Sequence, residues 1–131
     1  MAAAKKKTGA AGRRGGRLFR SAVDEFLDEL ERRNFSRHTI DAYRRDLKRF
    51  AEHLSQTARD DRPRLSDFTT QAARRYIAWM VSTRYARRSV QRALASLRSF
   101  SRFQTKRKAL KADPTLGLSA PRPERRLPSL L

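Results

Sequence analysis

Two short stretches of the chain combine hydroxyl side chains with arginines, a combination suited to binding phosphate. Each stretch lies at the predicted start of a helix, where unpaired N–H groups and the positive end of the helix dipole attract anions. The hydroxyl groups also suit helix capping, and that role is compatible with phosphate contact. The residues are Ser36, Arg37, Thr39, Arg87, Arg88 and Ser89.

Further along the same two predicted helices, a second set of polar residues suits hydrogen bonds to base edges or contacts with a far nucleic-acid strand. These residues are Arg45, Arg92, Ser96, Ser99 and Arg102. Arg98 lies on the flank of its predicted helix, and the pattern allows it two roles. It either contacts phosphate or forms an ion pair with Asp46 across the helices.

The residue types needed for catalysis are scarce. The chain has no cysteine, which excludes disulfides and thiolate metal sites, and its two histidines are His38 and His53. His38 falls in the first turn of a predicted helix and is expected at the surface. The adjacent carboxylates Asp60 and Asp61 lie in a predicted loop, and no His/Asp/Glu set has the spacing of a metal site. We therefore predict no catalytic residue, no metal and no cofactor in this chain.

Charge is the dominant feature of the composition. The 131 residues include 32 Lys and Arg against 13 Asp and Glu, giving a formal net charge of +19. Such an excess favours a polyanionic partner, nucleic acid first and an anionic membrane surface second. No apolar run approaches the roughly 20 residues of a membrane span, and the basic N-terminus lacks the apolar core of a signal peptide. We expect a cytoplasmic protein that does not insert into membranes.

Apolar residues at helical spacing predict four helices, over residues 18–33, 37–54, 69–83 and 84–111. The last stretch has ten basic residues and no acidic residue, and its apolar stripe contains Val90, Leu94, Leu97 and Phe100. This pattern predicts a helix with one buried face and one cationic face. The first helix has an acidic exposed face and is not expected to face a polyanion.

A weak internal repeat relates the two halves at an offset of 50 residues. The sequence of residues 35–40, FSRHTI, is echoed by residues 85–90, YARRSV. Leu47 and Phe50 then correspond to Leu97 and Phe100. The repeat predicts two helical hairpins, each ending in the more basic helix.

The two ends of the chain differ in composition from the helical part. Residues 1–17 are mostly Ala, Gly, Lys and Arg, which predicts a disordered basic arm, either binding phosphates or acting as a solubilising tail. Asp113 and Pro114 end the last helical pattern, and residues 113–131 hold four of the five prolines. We predict an extended linker there, so the domain occupies residues 18–112.

Three motifs, taken in order, carry a family resemblance. Those in the second predicted helix are Ser36, Thr39, Ile40, Tyr43, Asp46, Leu47 and Phe50. Those in the fourth are Ser89, Val90, Leu94, Ala95, Ser96, Leu97, Arg98, Ser99 and Phe100. Those in the linker are Asp113, Pro114, Gly117, Leu118, Pro121, Pro123, Leu127 and Pro128. Together they resemble the N-terminal core-binding domain of the tyrosine recombinases (phage-integrase-like), most closely the Xer type.

The resemblance implies an all-α, four-helix SAM-like core-binding domain that forms half of a C-shaped clamp on duplex DNA. The second and fourth helices would face the DNA. The other half of such proteins carries a tyrosine nucleophile assisted by arginines, histidines and a lysine, without metal or ATP. This chain ends about where that half would begin, so we do not expect it to cleave DNA alone. The implied partners are double-stranded DNA and other recombinase protomers in a tetrameric synapse.

Two positions depart from the pattern of the family. Ala86 stands where a serine usually caps the fourth helix, and Arg84 stands where a glycine is usual. The start of this helix is therefore expected to differ, and one phosphate contact is in doubt. The basic N-terminal arm is a further departure.

The sequence thus predicts duplex DNA binding by the core-binding half of a site-specific recombinase or integrase, acting in DNA integration or recombination, including chromosome dimer resolution. One alternative is a stand-alone basic DNA-binding or architectural protein. It would lack a downstream reading frame with an Arg, a His-x-x-Arg and a Tyr in order. The other alternative is an RNA-binding protein, which would bind RNA at least as well as duplex DNA at matched salt.

Overall fold

The computed structural model describes residues 16–120. It has four α-helices, α1 (Phe19–Arg32), α2 (Arg37–Ala58), α3 (Thr70–Ser82) and α4 (Arg87–Lys106), and a 3-10 turn at Leu65–Asp67 before α3. Within residues 16–120 there is no strand, only an isolated bridge between Leu18 and Arg64. The prediction of an all-α domain is confirmed.

Two helices, α2 and α4, differ from the prediction by more than one residue at an end. α2 continues past residue 54 to Ala58, and Arg59 ends it in the left-handed conformation at φ 55°. α4 is shorter than residues 84–111, because Arg84 and Lys108 both adopt φ 64° outside its two ends. Apolar spacing locates the buried part of a helix, but these left-handed residues set where the backbone leaves it.

Aromatic side chains from three helices meet in the centre of the core. Phe19 of α1, Phe50 of α2 and Phe100 of α4 are fully buried. The ring of Phe19 lies edge-on to Phe50, with centroids 5.5 Å apart, and edge-on to Phe100 at 5.2 Å. Burial of each ring contributes about 1.5–3 kcal/mol, and each edge-on pair adds about 0.5–1.5 kcal/mol. This cluster holds the two hairpins α1–α2 and α3–α4 together.

The two hairpins turn in the same way. Asn34 and Arg84 are left-handed, at φ 61° and 64°. The N–H of Phe35 donates to the carbonyl of Leu30 at 3.0 Å, and the N–H of Tyr85 donates to that of Met80 at 3.1 Å. This is the Schellman arrangement, which satisfies the last carbonyl groups of α1 and α3. The repeat at an offset of 50 residues is therefore visible in the backbone.

The residues that precede α2 and α4 have similar backbone conformations, but only the one before α2 caps its helix with a side chain. Ser36 has φ −65° and ψ 152°, and its hydroxyl oxygen accepts from the N–H of Thr39. Ala86 has φ −58° and ψ 144° and offers no side-chain cap. The first turn of α4 therefore lacks one hydrogen bond that α2 has.

The ends of the described region are more ordered than predicted. The carbonyl of Arg17 accepts from the N–H of Leu65 at 2.8 Å, so the packed region begins before residue 18. After α4, Pro114, Thr115 and Leu118 are buried. Residues 113–120 thus fold back onto the bundle, and the prediction of an extended linker is wrong for them. The predicted arm over residues 1–15 and the linker over 121–131 lie outside the described residues.

Asp113 organises this C-terminal turn. Its carboxylate accepts from the hydroxyl groups of Ser101 and Thr115 and from the N–H of Thr115, the last at 2.8 Å. Burial alone would raise the pKa of Asp113, but these hydrogen bonds and the nearby charge of Arg102 lower it overall. The carboxylate therefore stays ionised and fixes the turn to α4.

His53 is buried, whereas His38 is exposed as predicted. The His53 ring packs against Tyr76 and Trp79, with centroids 5.1 and 5.2 Å away. Burial lowers the pKa of His53 below its usual 6.5, and the charge of Arg75 lowers it further. At neutral pH the folded state therefore favours the neutral form of His53.

We predict that Ala86→Ser stabilises the domain and that Ser36→Ala destabilises it, each by about 1 kcal/mol, because each change adds or removes one cap on an equivalent backbone. Urea unfolding monitored by circular dichroism measures both. Equal stability of the Ala86→Ser variant and the parent would show that the first turn of α4 is not limited by its missing cap.

We also predict that stability falls as the pH drops below about 6.5. There the unfolded chain binds a proton at His53 that the folded chain resists, so stability is lost as the pH falls toward the lowered folded-state pKa. Urea midpoints between pH 7.5 and 5 should fall less for His53→Phe than for the parent. His38→Phe is the matched control, and an equal loss in both variants would contradict the role of His53.

Candidate nucleic-acid interface

α4 presents a row of side chains at alternating spacings of four and three residues, which places them on one face of the helix. All are exposed except Ser99, which is half-buried. The helix from Arg87 to Lys106 contains no acidic residue. We call this row the α4 ridge, and its members are Arg88, Arg92, Ala95, Ser99, Arg102 and Lys106.

α2 lies beside the ridge and runs in the opposite direction. Tyr43, early in α2, approaches Ser99, late in α4, with 3.3 Å between their hydroxyl oxygens. Arg49, later in α2, stacks over Tyr85 just before α4, with its guanidinium carbon 5.2 Å from the ring centre. The shared face therefore has one helix N-terminus at each end.

The predicted phosphate-binding residues lie at these two ends. Arg37 is exposed and Thr39 half-buried at the start of α2, while the Ser36 hydroxyl donates to Thr39 Oγ1 at 3.0 Å. At the start of α4, Arg87 and Arg88 are exposed and Ser89 is half-buried. Arg49 lies thirteen positions after Ser36, or about 20 Å along α2 at 1.5 Å per residue. The two groups are thus far apart on one surface.

The middle of the face is occupied by a cross-helix network. Asp46 of α2 is only 3% exposed. Its carboxylate accepts from Arg92 Nε at 3.1 Å, from Arg92 Nη2 at 2.9 Å and from the Ser96 hydroxyl at 2.8 Å. The hydrogen bond and the charge of Asp46 raise the pKa of Arg92. The buried carboxylate is therefore paired as its burial requires.

The network changes two expectations about α4. Ser96 is 3% exposed and donates to Asp46, so its predicted base contact is wrong because the hydroxyl does not reach the surface. The alternative pairing of Arg98 with Asp46 is also wrong. Arg98 Nη2 donates to the carbonyl of Leu118 at 2.6 Å and ties α4 to the C-terminal turn. Arg92 takes the place beside Asp46 instead.

A shallow cleft of about 220 Å³ opens beside this network between α2 and α4. The small side chains of Ala42 and Ala95 leave the space, and Arg92 and Asp46 form part of its wall. The lining residues are His38, Thr39, Ala42, Tyr43, Asp46, Arg92, Ala95 and Ser96. The prediction missed Ala42 and Ala95, although alanines among arginines on one helix face were a signal of a local depression.

The other predicted residues are exposed. Arg45 lies on α2 and Arg102 on the α4 ridge, and both point to solvent. Lys106, one turn after Arg102, belongs to the same ridge, although the sequence analysis did not predict a contact for it. The exposed acids of α1 are Asp24, Asp28 and Glu31. The half-buried Glu29 of α1 lines a cleft together with Arg102 and Lys106, so one acid lies beside the C-terminal end of the ridge.

Residues 16–120 contain no group of three or more His, Asp or Glu side chains that could hold a metal ion. Over the same residues, no helix is long and apolar enough to cross a membrane. A cytoplasmic location stays a prediction.

Comparison with known proteins agrees with this geometry. Residues 23–108 match the family described as phage integrase, N-terminal SAM-like domain. The chain therefore belongs to this family, which the resemblance of its three motifs had indicated. No solved structure matched the chain.

The chain is also similar to proteins named as tyrosine recombinases. It is 38% identical over 110 residues to tyrosine recombinase XerC of Azotobacter vinelandii, covering 83% of this chain and 36% of that protein. It is 34% identical over 110 residues to tyrosine recombinase XerD of Shewanella oneidensis, covering 83% of this chain and 35% of that protein. The chain thus spans little more than a third of the length of these relatives.

Proposed function

We propose that this protein binds duplex DNA through the exposed faces of α2 and α4, as the core-binding part of a site-specific tyrosine recombinase. The observation that supports this most strongly is the α4 ridge, where four of six side chains are basic on a helix without an acidic residue, beside a second basic helix. A row of one charge sign across a folded surface favours a polyanion over bulk water.

The layout of the face also suits a duplex. Its two helix starts are about 20 Å apart along α2, which exceeds the roughly 12 Å width of the major groove. Arg37 at one end and Arg88 at the other would contact phosphates on the two sides of the groove. Arg92, Ser99 and Arg102 lie between them and would face the base edges. Phosphate contacts set the position on DNA, and base contacts set the preference for sequence.

The recombination activity named for the relatives belongs to proteins about three times as long as the matched region. We propose that residues 1–131 supply DNA binding in integration or recombination, and that strand cleavage needs a catalytic region outside them together with further protomers in a tetrameric synapse.

Incubation with a nicked duplex should give no covalent protein–DNA adduct. An adduct would show that residues 1–131 can cleave DNA without that catalytic region.

We predict that affinity for duplex DNA falls steeply with salt, with a log–log slope of roughly −4 to −8, because several bound phosphates release counterions. Fluorescence anisotropy of a labelled duplex between about 50 and 200 mM NaCl measures this slope. A flat response would contradict the electrostatic interface. Tighter binding to an RNA duplex of the same length would favour the RNA-binding alternative.

We further predict that Arg88→Ala weakens binding to all duplexes alike and makes the salt slope shallower by about 1, because it removes one phosphate contact. Arg20→Ala is the control. It removes the same charge from α1, where Arg20 is exposed and donates to the carbonyl of Asp61. Equal losses in the two variants would show that net charge, and not the α2–α4 face, determines affinity.

A further inference from the structure

Asp46 is an acidic residue within the surface that we propose binds DNA. It places a negative charge near the middle of the proposed interface of a chain with net charge +19. A carboxylate there repels phosphate, and its burial is costly unless it is paired. A benefit for stability alone is a weak explanation, because apolar residues of similar size often replace a buried ion pair without loss.

The geometry of the pair indicates a different use. A guanidinium has five N–H donors in one plane. Asp46 engages Nε and one Nη2 proton of Arg92, which form one edge of the group, at 3.1 and 2.9 Å. The edge formed by Nη1 and the second Nη2 proton is left for another acceptor. The Arg92 side chain is 45% exposed, so this edge can be reached from solvent.

Ser96 restrains the carboxylate in turn. Its hydroxyl donates to Asp46 Oδ2 at 2.8 Å, and both residues are almost fully buried. Asp46 therefore cannot turn away from Arg92 without losing a second hydrogen bond. An arginine held in this way gives up less rotamer freedom when it binds.

The net charge of the Arg92–Asp46 pair determines which kind of acceptor on DNA it can bind. Asp46 offsets the positive charge of Arg92, so the pair offers a phosphate little net attraction. It still offers two parallel donors of fixed direction. The neutral acceptor that best matches such a fork in DNA is the O6 and N7 edge of guanine in the major groove. The cleft between Ala42 and Ala95 leaves room beside the fork for a base edge.

We propose that Asp46, supported by Ser96, is a positioning residue that presents the outer edge of Arg92 to a guanine, and so determines sequence preference at one base pair. This proposal rests on the proposed DNA-binding function. Asp46 itself touches no DNA in it.

The test is selection of duplexes from a randomised library by the full 131-residue chain, followed by sequencing. Four proteins are compared: the parent, Asp46→Asn, Arg92→Lys and the control Asp41→Asn. Asp41 is the matched control because it makes the same change on α2, at a residue that pairs with Arg44 of its own helix. Circular dichroism first shows that each variant is folded at the temperature used.

The parent should select guanine at one position, by roughly fivefold to a hundredfold over other bases. Asp46→Asn and Arg92→Lys should lose that preference while binding unselected duplexes at least as tightly, whereas Asp41→Asn should keep it. In the selected site, 7-deazaguanine at that position should weaken the parent and leave Asp46→Asn unchanged.

The failures can be told apart. If the parent binds no duplex, the proposed function itself is wrong. If the parent binds duplexes but Asp46→Asn keeps every preference, or weakens all sequences alike, the positioning role is wrong and the DNA-binding function stands.

Discussion

The packing of two basic helices against each other is the constraint on which the rest of this structure depends. α2 and α4 both carry arginines on their exposed faces, and like charges on neighbouring helices repel. Their contact survives because it is apolar underneath, where Phe50 and Phe100 both meet Phe19. Above that layer, Asp46 accepts from Arg92 and neutralises one of the charges closest to the seam. The two cationic helix faces can therefore lie side by side because the aromatic contacts and the Asp46–Arg92 pair beneath them hold the helices together.

α1 and α3 determine where this surface points. Each ends in a turn with a left-handed residue, Asn34 or Arg84, that reverses the chain into the next helix. The two turns have the same hydrogen bonds, so α2 and α4 leave them in equivalent ways. The contacts of Tyr43 with Ser99 and of Arg49 with Tyr85 show that the two helices meet in opposite directions. The helix N-termini therefore lie at opposite ends of one face. A single hairpin would supply only one of the two basic helices.

Apolar spacing was sufficient to predict four helices and the buried side of each, because burial of a stripe depends only on local periodicity. The partners of polar residues could not be predicted in this way. Ser96 donates to Asp46, whereas Arg98 donates to the carbonyl of Leu118. These partners depend on how α2 and α4 cross and on how residues 113–120 fold back onto the helices. Ser36 was predicted as a cap because capping is also local. Burial of the C-terminal turn depends on its contacts with α4, from Ser101 to Asp113 and from Arg98 to Leu118, which no periodic pattern reveals.

Differences between the two halves of the repeat explain why Arg92 is held in one orientation beside Asp46. At an offset of 50 residues, Asp46 corresponds to Ser96, and these two side chains meet across the seam. Two carboxylates there would repel, whereas an acceptor facing a donor is stable. Arg92 corresponds to Ala42, and the two line one cleft. Ala42 on α2 leaves room beside Arg92 on α4, and the Asp46–Ser96 pair fixes the direction of the Arg92 side chain. Two arginines at these positions would compete for the same carboxylate, so the difference between the repeats is what lets a single fork be held in place.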